Sequence, residues 1–367
     1  MIMGAASFGG FGLLLPVVPL VISQNGGSDA LAGATTAVFM GATVATQLGV
    51  PWLLRTVGHR GVLAAGCLLL GLPALAFLLS TAPPAVLTIS AFRGVGFGLL
   101  TVSSAALVAE LAPSSLLGRA TGAQGIAVAV AQMIALPTGL ALLQSVSASA
   151  VFLVGALVPV VALVAILRLP AVRSAPEART SGGAFEWQRL VLPCVAIASV
   201  SAAFGGLSSL LPIAESDSPV LAGLALSVVS GAMIVGRYGA GAIADRVGPG
   251  RALVPALVVT TVGVLAFAAG VAGAGSAAVL LAAAVVFGVG YGACQNESLV
   301  MAFAYAGPTR FGVASAAWNI SFDAGTGVGA LALGVLAVHY GYSTTFALGS
   351  ALVLVVAVLV RSSTWRR

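Results

Sequence analysis

The chain has 367 residues, of which 60% are hydrophobic and 7% are charged. Soluble domains carry about 25% charged residues, so this composition excludes a soluble globular protein and predicts a multi-pass membrane protein. The net charge of +6 comes from fifteen arginines and no lysine. These arginines are dispersed along the chain, which excludes a nucleic-acid-binding surface. The three cysteines are isolated in apolar stretches, so neither a metal nor another cofactor is expected.

Twelve apolar segments follow one another in chain order, each long enough to cross a bilayer, which requires about 20 residues. Breaks rich in Gly, Pro and Ser separate many of them, for example at 26–28, 83–84 and 113–115. The predicted spans are residues 2–23, 30–53, 62–81, 84–108, 120–144, 149–169, 189–213, 219–243, 252–272, 277–305, 311–338 and 343–361.

The arginines alternate between the breaks, and thirteen of the fifteen fall in loops or tails on one side of the predicted membrane. The breaks on the other side hold no arginine and carry Asp29, Glu215, Asp217 and His339. Arginine-rich loops remain in the cytoplasm during insertion. This pattern predicts cytoplasmic N- and C-termini in the inner (cytoplasmic) membrane of the cell.

A stretch of soluble composition divides the spans six and six, and the two sides repeat each other. The predicted units are an N-terminal six-helix bundle at 1–169, a cytosolic linker at 170–188, and a C-terminal six-helix bundle with a short cytosolic tail at 189–367. Parallel repeats of this kind place a substrate cavity at mid-membrane between two pseudo-symmetric halves. The repeated pairs, offset by 196, 194 and 190 residues, are Phe8-Gly9-Gly10 with Phe204-Gly205-Gly206, Gly94–Gly98 with Gly288–Gly292, and Gly58…Leu63 with Gly248…Leu253.

The loop after the eighth span carries the most specific motif, Gly241-Ala-Ile-Ala-Asp245-Arg246-Val-Gly248-Pro-Gly-Arg251-Ala-Leu253. It resembles the signature loop GxLADRxGRxxxL of the major facilitator superfamily. The scarcity of charges in the expected cavity favours a bacterial, efflux-type member of that family. The second copy, around Gly58, is degraded, with Arg55 where the family has Asp. The resemblance covers the whole chain through span number, linker and repeat, and it implies the all-α major facilitator fold.

The resemblance implies that this loop is a cytosolic gate. In the family the Asp caps the N-terminus of a helix from the other half, a position that favours a carboxylate. Here Asp245 would meet the start of the fifth span near Arg119. Arg237, two turns inside the membrane, is expected either to join the gate or to snorkel to the interface. The predicted gate residues are Gly58, Arg60, Arg237, Gly241, Asp245, Arg246, Gly248 and Arg251.

Three charged residues inside the apolar spans are candidates for proton coupling or charge relay. Arg93 begins Arg93–Gly98, which resembles, in shortened spacing, the family's RxxxGxG motif of helix 4, linked there to proton coupling or anionic substrate groups. Asp323 is the first choice as proton carrier and Glu297 the second, because burial favours the neutral form of a carboxyl group. A structural helix–helix hydrogen bond is the alternative for each carboxylate.

Polar and aromatic residues of the spans are expected to line the substrate cavity. One face of the eleventh span carries, at helical spacing, Ser315, Asn319, Phe322, Asp323 and Thr326. A polar face in lipid must look into protein or a cavity. The predicted cavity residues are Gln124, Gln132, Phe204, Tyr291, Gln295, Trp318, Asn319 and Phe322.

The leading hypothesis is a secondary active transporter that works by alternating access, with proton-coupled export of a small amphipathic molecule. Proton-coupled uptake of a small anionic or polar solute is the alternative, and a membrane sensor without transport is a third class. An enzyme is not expected, because the two histidines, His59 and His339, fall in loops on opposite sides and the chain carries no catalytic motif such as HExxH or GxSxG. The expected partners are the solute, protons and the bilayer, around a monomeric chain.

Overall fold

The computed structural model describes residues 2–111, 117–166, 187–274, 277–307 and 310–364, and these contain helices and no strand. We number the membrane-spanning helices α1 to α12. Their bounds are Ile2–Leu14 continued by Val17–Gln24 (α1), Asp29–Thr56 (α2), His59–Gly71 continued by Leu72–Leu78 (α3), Pro83–Leu111 (α4), Leu117–Ser145 (α5), Ala148–Val161 continued by Leu163–Ile166 (α6), Gln188–Ala214 (α7), Pro219–Val247 (α8), Leu253–Ala269 continued by Gly270–Ala274 (α9), Ala277–Ala306 (α10), and Phe311–Thr364, which holds α11 (311–340) and α12 (342–364).

The last two spans follow each other without an intervening loop, and the chain reverses direction between them at Gly341. Eleven described helices are long and apolar enough to cross a membrane, the last of them Gly312–Ser362. Gly341 has a φ of 72° and a ψ of 168°, a conformation that only glycine adopts readily. Leu333 packs against Gly349, although a straight helix would hold residues sixteen apart at about 24 Å. The chain therefore folds back, and the described residues contain twelve spans, as predicted.

Helices are the expected solution in lipid, because each one satisfies its backbone polar groups internally. Short polar caps set several of the ends: Ser28 accepts the Leu31 amide at the start of α2, and Ser147 accepts the Ala150 amide at the start of α6. α3 begins at His59 rather than at the predicted residue 62. The loop glycine Gly58 ends the preceding turn there and lets the helix begin at once.

The two motif loops have the same backbone conformation. Gly58 has φ 85° and ψ 164°, and Gly248 has φ 86° and ψ 162°. Residues with a side chain rarely adopt this region, so both loops require glycine at this point. The loop after α2 and the loop after α8 are therefore structurally equivalent, although Asp245 has no acidic counterpart in the first.

The glycine motif of α4 and its copy on α10 make equivalent contacts. Gly94 and Gly98 lie against the backbone at Phe39 and Thr43 of α2; Gly288 and Gly292 lie against Val229 and Met233 of α8. Each α8 position is 190 residues after its α2 counterpart, the offset of the motif loops. Small residues permit such close helix packing in membranes. The repeat is thus present in the packing as well as in the sequence.

We call α1–α6 the first half and α7–α12 the second half. The helix pairs that join them include α2 with α11, α5 with α8, α1 with α7 and α2 with α7. Gly33 and Gly327 mark the α2–α11 contact, and the Ser227 hydroxyl donates to the Met133 carbonyl across α8 and α5 at 2.7 Å. Of the predicted linker at 170–188, residues 170–186 lie outside the described ranges.

Candidate functional site

The two ends of the bundle differ in charge, and we name them accordingly. The arginine end carries Arg55, Arg60, Arg246 and Arg251; the acidic end carries Asp29, Glu215 and Asp217.

The two halves are in close contact at the acidic end. Tyr342 donates a hydrogen bond to Asp29 Oδ1 over 3.0 Å, which joins the start of α12 to the start of α2. The hydroxyls of Thr36 and Ser209 are 3.0 Å apart and join α2 to α7. Gly33 lies directly against the backbone of Ala330. These contacts seal the acidic end in the conformation observed.

Asp323 occupies the interface between the halves. Its Oδ2 atom accepts a hydrogen bond from Gln47 Nε2 over 2.7 Å, which links α11 to α2. Both side chains are buried, and Gln47 also lies 3.3 Å from the Thr101 hydroxyl on α4. Within the described part of the chain, Asp323 has no ion-pair partner. A lone carboxylate held by one neutral donor is chemically suited to accept a proton.

A row of stacked aromatic rings lies beside Asp323. Tyr291 stacks on Phe204, Phe287 and Phe322 with centroid distances of 5.1, 5.4 and 6.3 Å, and Trp318 stacks on Phe322 at 5.6 Å. The planes of these pairs differ by 14° to 23°. We call these five rings the aromatic wall. It brings together Phe204, Tyr291, Trp318 and Phe322 of the predicted cavity, and of these Phe322 is half-buried whereas the other three are buried in this conformation.

Tyr291 connects the aromatic wall to the polar groups around it. Its hydroxyl lies beside Ser201 and Gln295, and the side chain is within electrostatic range of both Arg237 and Asp323. The hydroxyls of Tyr291 and Ser201 are buried, and neither has a hydrogen bond of normal geometry in the described structure. Buried polar groups in proteins are nearly always paired. Two unsatisfied hydroxyls at one place therefore point to a ligand or a water molecule.

Arg93 is held by its own half and does not meet Asp323. Its Nε donates to the Leu70 carbonyl over 3.2 Å, and Nη2 lies 3.5 Å from the Gly10 carbonyl. The guanidinium stands 5.7 Å from the centroid of the Phe39 ring. Phe39 precedes Gln47, the partner of Asp323, by eight residues on α2, which is about 12 Å along the helix axis. An adjoining cavity of about 20 Å³ has room for about one water.

Glu297 lies at the arginine end, away from both Arg93 and Asp323. Its Oε1 accepts the backbone N–H of Gly250, and the Ala252 N–H lies 3.4 Å away. These amides precede α9, so the carboxylate caps the start of that helix, where negative charge is favoured. This capping geometry gives Glu297 a structural role, although with loop amides rather than with a neighbouring helix. Its Oε2 is buried without a hydrogen-bond partner in the described structure, and the proton role stays a prediction.

Replacing Glu297 with glutamine should lower the Tm of the protein, because α9 loses a charged cap worth about 1 kcal/mol. Proton-driven transport should persist at 25 °C. Thermal unfolding followed beside a flux assay checks both expectations. An unchanged Tm together with lost proton coupling would return Glu297 to the coupling machinery.

The predicted gate residues at the arginine end are mostly exposed to solvent. Asp245, Arg246 and Arg251 are exposed, as is Arg60 in the equivalent loop. Gly241 lies against the Asn296 side chain. Among the described residues, Asp245 therefore caps no helix in this conformation, and the side chain of its predicted neighbour Arg119 lies outside them. Arg237 is not at the gate loop; it is level with Tyr291.

The remaining predicted cavity residues, Gln124, Gln132, Gln295 and Asn319, do not lie together. Gln124 donates to the Ser104 hydroxyl over 3.3 Å, between α5 and α4 near the arginine end. Gln132 packs against Gly12 of α1. Asn319 donates to the Ser315 carbonyl of its own helix at 2.8 Å. Gln295 lies beside Tyr291 and thus next to the aromatic wall, whereas Gln124 lies apart from the wall.

Several pairs that join the halves were not predicted from the sequence: Gln47 with Asp323, Thr36 with Ser209, and Asp29 with Tyr342. Gln47 could have been found, because an amide inside an apolar span is a functional signal. The 190-residue offset also aligns Gln47 with Arg237. The other two pairs leave no comparable pattern.

Twelve apolar helices within the described ranges, an internal repeat and a polar site buried between the halves define a multi-pass membrane transporter. A family model described as Major Facilitator Superfamily matches residues 1–321 and 193–367. The chain belongs to the Major Facilitator Superfamily, a family of transporters rather than enzymes.

Solved transporter structures share this fold. A bacterial homologue of the human lysosomal transporter Spinster, inward-facing and occupied, superposes with a TM-score of 0.81 at 12% identity, covering 99% of this chain and 94% of that one. The nucleoside transporter NupG gives 0.78 at 12%, covering 98% of both chains. The xylose transporter XylE from E. coli, inward open, gives 0.76 at 13%, covering 98% and 93%. No curated protein sequence matches this chain.

Proposed function

We propose that this protein is a proton-coupled secondary transporter with Asp323 as its proton carrier. The observation that carries the proposal is the Gln47–Asp323 hydrogen bond across the interface between the halves. A carboxylate placed there changes its surroundings whenever the halves move apart. Proton binding at Asp323 and the conformation of the bundle are therefore linked, as coupled transport requires.

Alternating access needs two conformations, each sealed at one end. The acidic end is sealed here by the Asp29–Tyr342 and Thr36–Ser209 contacts, while Asp245 and Arg246 are exposed at the other end. We assign the arginine end to the cytoplasm of the inner membrane, with both termini there, on the distribution of arginines. The observed conformation is then inward-facing. In the opposite conformation Asp245 serves as the latch of the cytosolic gate.

The units predicted from the sequence fit this scheme. The bundles at 1–169 and 189–367 act as the two moving bodies, the stretch at 170–188 acts as their cytosolic linker, and one chain suffices for the cycle. The glycine contacts within each half, at Gly94 and Gly288, keep each body rigid.

The substrate site combines the aromatic wall with the polar groups of Gln47, Ser201 and Gln295. Such a surface suits a small amphipathic molecule, and export of it is the leading form of the proposal. The similar structures include a nucleoside transporter, a xylose transporter and a POT family transporter in complex with 5-aminolevulinic acid. That range of polar solutes, together with Arg237, supports the second candidate, proton-coupled uptake of a small anionic or polar solute.

Flux into proteoliposomes tests the proposal. With the purified protein reconstituted, an imposed proton gradient should drive accumulation or expulsion of a solute, and collapsing the gradient with a protonophore should abolish it. Identical flux with and without the gradient would contradict proton coupling. Absence of flux for every solute class would favour the sensor.

A further inference from the structure

Arg237 faces the interior of the bundle. Met233 and Ser230, which precede it by one and two helical turns on the same face of α8, are both buried. Val235 and Tyr238 on other faces are 65% and 82% exposed. The neighbouring Gly236 packs against the α10 backbone at Val289, which sets Arg237 level with Tyr291.

Arg237 has no counter-ion in the described part of the chain. It makes no ion pair or hydrogen bond there, and its electrostatic neighbour is the Tyr291 side chain. Arg93, in contrast, is held by two backbone carbonyls. An arginine inside a membrane is costly unless it is paired or faces a water-filled cavity. Arg237 is half-buried, so it can be reached from a cavity, and its donors are not used by any residue in the described part of the chain.

The groups around Arg237 add further donors. The Tyr291 and Ser201 hydroxyls lie side by side, buried and without a hydrogen bond of normal geometry. A guanidinium supplies five N–H donors and no acceptor, and each hydroxyl can donate one more. A group rich in acceptor oxygens satisfies all three residues together, and the negative charge of a carboxylate or phosphate also neutralises Arg237.

We propose that Arg237, Tyr291 and Ser201 form a subsite for the anionic group of the transported solute. This proposal rests on the transport function proposed above and names the solute class: a small organic anion. Its planar or apolar body lies on the aromatic wall, next to Phe204 and Phe322. Arg93 is then structural, and Arg237, assigned to the gate from the sequence, contacts the solute.

The internal repeat supports this division. Arg237 is the counterpart of Gln47 at the 190-residue offset that relates α2 to α8. Gln47 holds the carboxylate of Asp323 across the α2–α11 contact. The equivalent position on α8 presents a cation instead. The donor that holds the proton carrier and the cation of the anion subsite therefore occupy matched positions, Gln47 on the first half and Arg237 on the second.

Ligand-dependent thermal unfolding of the purified full-length protein tests the subsite. The probes are benzoate and phenyl phosphate, with the neutral benzamide and the cationic benzylamine as comparisons of similar size. A ligand that binds the folded state raises the Tm, by about 2 °C or more near tenfold saturation. We expect this rise with at least one of the two anions, and not with benzamide or benzylamine.

Three variants separate charge recognition from general damage. Arg237→Gln should abolish the anion-dependent rise in Tm, because a charged hydrogen bond is worth about 10- to 100-fold in affinity. Arg237→Lys should retain part of it. Arg361→Gln removes the same charge from an exposed position near the end of α12 and should retain all of it.

Three results would overturn the subsite: an anion response unchanged in Arg237→Gln, a rise with benzylamine that exceeds that with the anions, or no response to either anion. Failure of the subsite can be distinguished from failure of the transport proposal. Proton-driven flux without anion binding refutes the subsite alone, and anion binding without flux refutes transport alone.

Discussion

Replacing Asp323 with asparagine is expected to abolish proton-driven transport while leaving downhill exchange of the solute intact. Asparagine keeps the size of the side chain and an oxygen that can accept the hydrogen bond from Gln47. It cannot bind or release a proton in the cycle. Because the α2–α11 contact is preserved, the two halves still change between the two conformations. The proton gradient, however, no longer drives accumulation of the solute. The measurement is accumulation in proteoliposomes with an imposed proton gradient, beside exchange at equal concentrations on both sides.

The control is a variant in which a carboxylate outside the site is replaced by the corresponding amide. Glu215 lies at the acidic end, outside the site, just after α7, and Glu215→Gln should leave both driven flux and exchange unchanged. If Asp323→Asn retained full accumulation against a gradient, the proton role would have to pass to another residue, with Glu297 as the next carboxylate in the spans.

A disulfide between positions 36 and 209 is expected to stop transport completely. The Thr36 and Ser209 hydroxyls are 3.0 Å apart across α2 and α7, a separation from which two cysteines reach bonding distance with small side-chain movement. The bond fixes the acidic end closed and removes one of the two conformations that alternating access requires. The double variant Thr36→Cys with Ser209→Cys, in a Cys194→Ser background, should lose flux on oxidation and recover it on reduction.

The single-cysteine variants serve as controls, since oxidation should leave their flux unchanged. Cys67 and Cys294 are buried and can remain in the protein. Transport that continues after cross-linking has gone to completion would show that the acidic end does not open during the cycle.

The architecture could be predicted well from the sequence because lipid leaves few choices. Span length, the arginine pattern and the repeats at Gly58 and Gly248 are local features, and the structure confirms twelve helices and the family fold. The structure also brings Phe204, Tyr291 and Trp318 into one aromatic wall, since these residues lie at facing positions of neighbouring helices. That this wall contacts the solute stays a prediction.

Pairings between distant helices could not be predicted in the same way. Whether Glu297 faces Asp323 or the loop before α9 depends on helix rotation and depth, which no local pattern specifies. The same holds for Arg93, whose partners are backbone carbonyls of α1 and α3. Arg237 is expected at the gate from its distance to Asp245, whereas the face of α8 on which it lies directs it towards Tyr291.

The equivalence of Gln47 and Arg237 also bears on how such a chain can change its cargo. A duplicated bundle offers every chemical position twice, so one copy is free to diverge while the other preserves the working cycle. Here one copy holds a neutral amide and the other a cation, at matched positions of the two bundles. Exchanging the two residues would move the cation to the other bundle without altering the total charge. On the role proposed for Arg237, solute selectivity can therefore change through these two positions within an unchanged scaffold.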